Sequence, residues 1–439
     1  MSTVDSSYNP CHSQMVISIR TLLLLPMFCA GLMMLVTFSV PGRSAGPDEV
    51  DGIAKLKLLV RGTCALAMSL LLIWQINRIA IRRAIRQMLP WFVFLGWCIL
   101  STCWSPLRTI TLGQAGSQMT LAMMSVVIAG FWRGDRDTST IVRFLSLSLT
   151  MISGILLSMY VAIPSAGSLS RDGEGLLHAT NGSATASLGI LLSIGAALAG
   201  KWRWARLVAA PTVMLHGTVL IIAANRTALA LTLLLSLVLI ACCASRFWIC
   251  ATLFGISIVA TLYLALDPGG RLASTGEREL MSFAMRGQTS RQLQALSGRA
   301  ELWNLIWKSH QESPWIGHGF FVTSKTGSIR IWNKEGNVPA HNIWLQALVT
   351  TGIIGTVLFL SGIVGTCFAT IVRLALRRES IRLAFLMAIL MCFYLGWSLT
   401  SDSLLGPIQP ETVVFYVMLG VAIGTLSHAG RCPQLEKLV

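Results

Sequence analysis

Charge is what this chain has least of. Only 12% of its 439 residues are Asp, Glu, Lys or Arg, while 54% are hydrophobic. A soluble globular domain carries roughly twice that charged share, so the composition excludes a soluble fold and predicts a polytopic membrane protein. Acidic residues are the scarcer kind, 18 against 34 basic. Asp172, Glu174, Asp402 and Glu411 stand scattered, without an Asp-x-Asp pair on the face assigned outward below. Mg²⁺ or Mn²⁺ needs clustered oxygen ligands, so metal-dependent chemistry is disfavoured and no cofactor is called for.

Other absences narrow the field further. Of eleven Cys, nine (Cys29, Cys64, Cys98, Cys103, Cys242, Cys243, Cys250, Cys367 and Cys392) fall in or beside apolar runs, and no CxxC pair occurs. Neither a disulfide framework nor a zinc site is supported. His12, His178, His216, His310, His318 and His428 form no His-x3-His pattern. Nothing repeats at a period of 20–50 residues, and the two halves share no interrupted helices. The apolar runs hold no mid-depth Asp, Glu or Lys, which argues against a transporter or flippase, and no ring-forming filter segment suggests a channel.

What is present is a series of apolar runs. A membrane-crossing helix needs about 20 such residues. Twelve spans are expected, near 16–40, 56–77, 89–105, 110–132, 141–163, 178–200, 204–224, 227–245, 247–266, 343–372, 380–400 and 411–428. The first lacks a convincing cleavage site and reads as a retained span, not a signal peptide. The short run 89–105 is bracketed by Trp91, Trp97 and Trp104, as aromatic belts tend to be.

The formal charge of +16 is topological and does not mark nucleic acid as a partner. Arg78, Arg82, Arg83 and Arg86 fall between spans; so do Arg133, Arg136 and Arg143, then Lys201, Arg203 and Arg206, then Arg246, then Arg373, Arg377, Arg378 and Arg382. The intervening connections are poorer in basic residues or mixed with acids. The positive-inside rule makes the basic set cytoplasmic, with both termini, and turns 267–340 outward. The expected organisation is nine spans over 1–266, an outward loop with an active-site helix over 267–342, and three spans over 343–439.

The run 343–372 would measure about 45 Å as one helix, against a hydrocarbon core of about 30 Å. Gly352 and Gly355 offer a break, so a short helix at 342–351 near the outer interface is expected ahead of the true span. A tilted single helix is the alternative. In the outward loop, nine basic and six acidic residues leave +3. Arg299 opens an amphipathic helix with Leu302, Leu305 and Ile306 at helical spacing, ending before Pro314. Pro314-Trp315-Ile316-Gly317-His318-Gly319 then reads as a turn.

His341 stands where this loop re-enters apolar sequence. An imidazole titrates near 6.5 in water, and a helix starting at about Asn342 points its positive end at the ring, favouring the neutral base. The other reading is an interfacial His that only caps a helix. Arg226 occupies a tight Asn225-Arg226-Thr227 hairpin at a lipid boundary. It suits bidentate contact with a pyrophosphate or snorkelling to lipid phosphate. Arg171 and Arg299 are also outward, as are Arg61 and Arg108, for which snorkelling is the simpler reading.

Four segments together resemble the O-antigen ligase and polymerase superfamily: Ser297-Gly298-Arg299 with Trp303; Pro314-Trp315-x-Gly317-x-Gly319; His341-Asn342-x-Trp344-Leu345; and Thr351-Gly352-Ile353-Ile354-Gly355. Asn225-Arg226-Thr227 and Arg171-x-Gly173 with Ala179-Thr180-Asn181 are similar to further family elements, although the family more often shows a Pro before that Asn. The resemblance implies an all-α, GT-C-like membrane glycosyltransferase of about twelve spans with one long, partly helical periplasmic loop. It implies an inner-membrane enzyme that works at the periplasmic face without metal. The glycan would move from undecaprenyl diphosphate to the lipid A–core oligosaccharide, with inversion. By the same carry-over His341 is the base and Arg226 and Arg299 are the essential arginines. Arg171, Asn342, Trp344, His318 and Arg61 are candidates for substrate contact. A repeat-unit polymerase, or transfer to protein, would use the same chemistry with another acceptor.

Overall fold

The computed structural model describes residues 11–37, 52–162, 179–199, 203–223, 225–243, 299–323, 339–401 and 404–428, and within them every regular element is helical. The helices are α1 (Cys11–Leu35), α2 (Gly52–Gln75), α3 (Ile79–Leu100), α4 (Arg108–Phe131), α5 (Asp135–Ala162), α6 (Ala179–Leu198), α7 (Arg203–Ile222) and α8 (Arg226–Cys243). After them come α9 (Arg299–Glu312), α10 (Ile343–Gly362), α11 (Ala369–Ala375), α12 (Ile381–Trp397) and α13 (Pro410–His428). A π-helical stretch, Ile363–Phe368, joins α10 to α11. Among the described residues eight helices are long and apolar enough to cross a membrane, and two shorter apolar helices accompany them. The chain is an all-α polytopic membrane protein. The expected span at 247–266 lies outside the described residues.

The bundle is built around α13, whose apolar window is 94% buried, and α4. The two lie close because α13 has glycine where α4 needs room: a Cβ on Gly420 would fall 2.7 Å from the Ser125 carbonyl oxygen. Ser125 Oγ donates to the Tyr416 carbonyl across the same contact (2.6 Å). Small residues and one hydroxyl thus replace the hydrophobic drive that lipid cannot supply between helices.

The helices begin and end beyond the hydropathy boundaries. The expected run 89–105 is in fact α3, starting at Ile79, so Arg82, Arg83 and Arg86 are helical and not in a loop. Backbone hydrogen bonding continues where hydrophobicity stops, because long Arg stems carry their charge clear of the apolar layer. Trp91 corrects the aromatic-belt expectation: it is fully buried, donating Nε1–H to Tyr416 Oη at 2.8 Å and ringed by Phe94, Phe359 and Phe415. Its indole N–H is satisfied inside the bundle, which removes the reason for a Trp to seek the interface.

Three of the arginines that were read as one side, Arg78, Arg83 and Arg382, have partners near helix ends. Arg78 lies over the Phe131 ring at 5.0 Å, and Arg83 Nη1 donates to the Ser427 carbonyl near the end of α13 (3.1 Å). Arg382 donates to the Ala199 carbonyl at the end of α6 (2.5 Å). Cations here meet the free carbonyls of helix C-termini, where the dipole favours them. The candidate site lies at the opposite end of α12 from Arg382.

Candidate functional site

Gly352 is where α10 turns. Its φ of 67° and ψ of −173° break the helix into residues 343–351 and 353–362. The Trp344 and Phe359 ring centroids lie 6.1 Å apart. In an unbroken helix those fifteen residues would separate the two by about 22 Å, so the first half doubles back toward the second. The break falls at the glycine the sequence offered, but the short helix folds onto its own span.

A helix break leaves up to four carbonyls and four amides without partners. One segment of chain supplies most of them here. Val349 O accepts from His318 N (3.0 Å) and Thr350 O from Gly319 N (2.9 Å), while Ile353 N and Ile354 N donate to Pro314 O (2.8 Å) and Trp315 O (3.2 Å). Leu348 O accepts from His310 Nδ1–H at 3.1 Å, and Thr351 O from the Trp97 indole at 3.1 Å. The strap at 314–319 therefore serves both halves of the break. It must pass very close: a Cβ on Gly352 would sit 2.2 Å from Trp315 O, and one on Gly317 (φ 67°) would sit 2.5 Å from the Thr350 carbonyl. Beyond the strap, Phe320 N donates to Ser101 Oγ (2.9 Å) and Phe320 O accepts from Thr111 Oγ1 (2.9 Å), pinning it to the α3–α4 turn.

His341 is held by its neighbours. Ala340 donates N–H to Gln346 Oε1 (2.9 Å) and accepts from Trp303 Nε1 of α9 (2.9 Å). Asn342 is the N-cap of α10, its Oδ1 accepting from Trp344 N (3.0 Å) and Leu345 N (3.2 Å). Just after α12, the Ser398 carbonyl accepts from Ile343 N at 2.9 Å, and the Leu399 carbonyl from Asn342 Nδ2 at 3.4 Å. Between these fixed peptides His341 takes a φ of 49°. Left-handed backbone costs a non-glycine residue about 1 kcal/mol or more, and such outliers cluster at functional sites.

The same contacts bring other candidates toward His341. Trp303 on Ala340 and His310 on Leu348 set α9 running parallel to the first half of α10, with Leu302, Ile306 and Val349 packed between them. Arg299 opens α9, about one turn before Trp303. Arg226 opens α8, with Asn225 Oδ1 accepting from Ala228 N (3.2 Å) as its cap. Leu231 of α8 packs on Gly396 of α12, so Arg226 lies about 7.5 Å further along α8, toward the α12 end that holds Asn342. Residues 299–303 of α9 thus lie beside the start of α10, and α8 begins near the C-terminal end of α12, after which the chain bonds Asn342. Glu411, buried in the first turn of α13, is tied to α12 through its carbonyl, which accepts from Tyr394 Oη.

The remaining predicted residues lie elsewhere or have other partners. His318 is buried, and its Nε2–H donates to the Ser309 carbonyl at 2.8 Å; a carbonyl only accepts, so this ring fastens the strap to α9 instead of facing an open site. Trp344 is half-buried against Phe359. Arg61 sits part-way along α2, which packs on α4 and α1, away from α9 and α12. Arg171 lies outside the described residues. Among the described residues no three His, Cys, Asp or Glu side chains form a metal-binding group. Sequence reasoning missed Gln346 as a holder of Ala340; its only signal was one amide in the apolar run Ile343–Val349.

Residues 211–360 match a family model described as O-antigen ligase. That stretch contains Arg226, Arg299, the strap, His341 and the corner at Gly352. No curated protein matches the chain.

Proposed function

With an O-antigen ligase domain over residues 211–360, the chain belongs to the O-antigen ligase superfamily, and we propose that it transfers glycan from undecaprenyl diphosphate to lipid A–core oligosaccharide at the periplasmic face of the inner membrane. The observation that carries this reading is His341 held in left-handed backbone at the N-terminus of α10, beside α9, which carries Arg299, and at the end of α12 toward which α8 presents Arg226. Helix N-termini and guanidinium groups both favour anions, and a diphosphate is the anionic part of such a donor.

In this mechanism the acceptor hydroxyl oxygen attacks the anomeric carbon. As that bond forms, the bond from the anomeric carbon to the diphosphate oxygen breaks, and its electron pair leaves with the diphosphate. Arg226 and Arg299 stabilise the charge that grows there, and the hydroxyl proton passes to the His341 imidazole. Attack opposite the leaving group inverts the anomeric centre. The cap geometry gives Asn342 a supporting role, holding the backbone next to His341.

The test is transfer by purified protein supplied with defined undecaprenyl-diphosphate glycan and lipid A–core, chelator present. Glycan on lipid A–core is the expected product, and it should vanish in His341→Ala at unchanged protein level. Normal transfer by His341→Ala would remove the base assignment. Longer glycan still on its polyprenyl carrier would make the enzyme a repeat-unit polymerase.

A further inference from the structure

The strap exposes a tryptophan that its own backbone does not let move. Trp315 is 64% exposed and Ile316 37%, yet the carbonyls of Pro314 and Trp315 and the amides of His318 and Gly319 are all bonded into the α10 corner. Exposure here is a fixed feature of a rigid segment, not the looseness of a loop tip. A large apolar group kept in water this way forgoes about 2 kcal/mol or more of burial.

The surroundings say what covers it. Ile353 and Ile354, bonded to the strap, begin a stripe on α10 that continues through Val357, Leu360, Val364 and Phe368, each 37–59% exposed. Those positions recur at helical spacing on the outward face of a candidate membrane span, so the stripe is lipid-facing surface. Trp315 and Ile316 extend it past the corner at the site end of the bundle. An indole at the end of a lipid-facing stripe has the chemistry of the membrane–water boundary, with an apolar body and an N–H for the headgroup layer.

We propose that Trp315 and Ile316 seat the strap in the interfacial layer of the leaflet at the site end, the occupant being membrane lipid. The strap is bonded to both halves of α10 and, through His318, to α9. Its depth in the leaflet therefore fixes the height of the corner and, through it, of His341. On the transfer reading above, on which this last step rests, the seat sets the vertical register between a lipid-borne diphosphate and the base.

The depth itself is measurable without any activity. Full-length protein and its Trp315→Phe variant are reconstituted in brominated phosphatidylcholine, and the difference in emission between them reports Trp315. Lipid brominated near the headgroup end of its chains should quench that difference at least twofold, more than mid-chain bromine or aqueous iodide does. Val357→Trp, lower on the stripe, should be quenched most by mid-chain bromine. Quenching of the Trp315 signal by iodide alone would overturn the proposal. Protection of that signal by soluble glycan would also overturn it, by assigning the indole to sugar stacking. If Trp315→Phe does not reconstitute, the added emission of Ile316→Trp gives the same reading.

Discussion

Trp303 and His341 are linked through one carbonyl: the Trp303 indole N–H meets the Ala340 oxygen at 2.9 Å, on the peptide that leads into His341. Trp303→Phe keeps the ring packing and deletes that donor. Stability should fall by about 1 kcal/mol. Turnover in the transfer assay should fall by about tenfold or more as His341 shifts, with KM little changed. A loss of stability with full turnover would mean that the contact only packs α9.

The corner admits no side chain. Gly352→Ala combines a φ of 67° with a Cβ 2.2 Å from Trp315 O. It should destabilise by several kcal/mol, near the upper end for single substitutions. Gly154→Ala, where a Cβ meets nothing within 4 Å, should be neutral or stabilise by up to about 1 kcal/mol. Thermal unfolding of both in detergent makes the comparison.

The α10 cap separates structure from chemistry. Asn342→Ala should cost about 1 kcal/mol. Asn342→Asp keeps the accepting oxygen and loses only the long Nδ2 bond to the Leu399 carbonyl, so it should cost less than Asn342→Ala. If anions bind at this helix end, however, the added negative charge should depress donor binding, seen as a raised KM at near-normal stability.

Away from the site, Gly189 of α6 makes room for the His216 ring of α7, which lies 2.4 Å from where a Cβ would be, while Ser153 of α5 bonds its Nδ1 (2.8 Å). Gly189→Ala should therefore destabilise the bundle. Adding His216→Ala should recover part of the loss, giving a coupling of about 1 kcal/mol or more. Strict additivity in the four-protein unfolding cycle would refute the packing account.

Much of this architecture was legible because hydrophobicity and backbone chemistry act locally. The order of the described helices, the helix over 299–312, the start of α8 at Arg226 and the break at Gly352 all follow from runs, caps and glycines. The direction of the corner did not, because it depends on hydrogen bonds between residues 314–319 and 348–354, which periodicity does not encode. Trp91 was misread as an interfacial belt residue because its bond to Tyr416 joins positions 325 apart in the chain. His318 looked available because a bond to a backbone carbonyl nine residues back, on α9, leaves no mark in side-chain periodicity. Local sequence reports what a residue can do, and long-range pairing decides whether it is free to do it.

The exchange of hydrogen bonds between strap and helix break also constrains chain length. Pro314, Trp315, His318 and Gly319 engage α10 through main-chain atoms, which side-chain changes at Trp315 and Ile316 preserve but a deletion shifts out of phase. Side chains at Trp315 and Ile316 can change while the corner stays paired. Removing one residue between Pro314 and Gly319 would leave amides or carbonyls stranded on one side of Gly352. This stretch should therefore accept one interfacial side chain for another at Trp315 and Ile316, but hardly any change in number of residues.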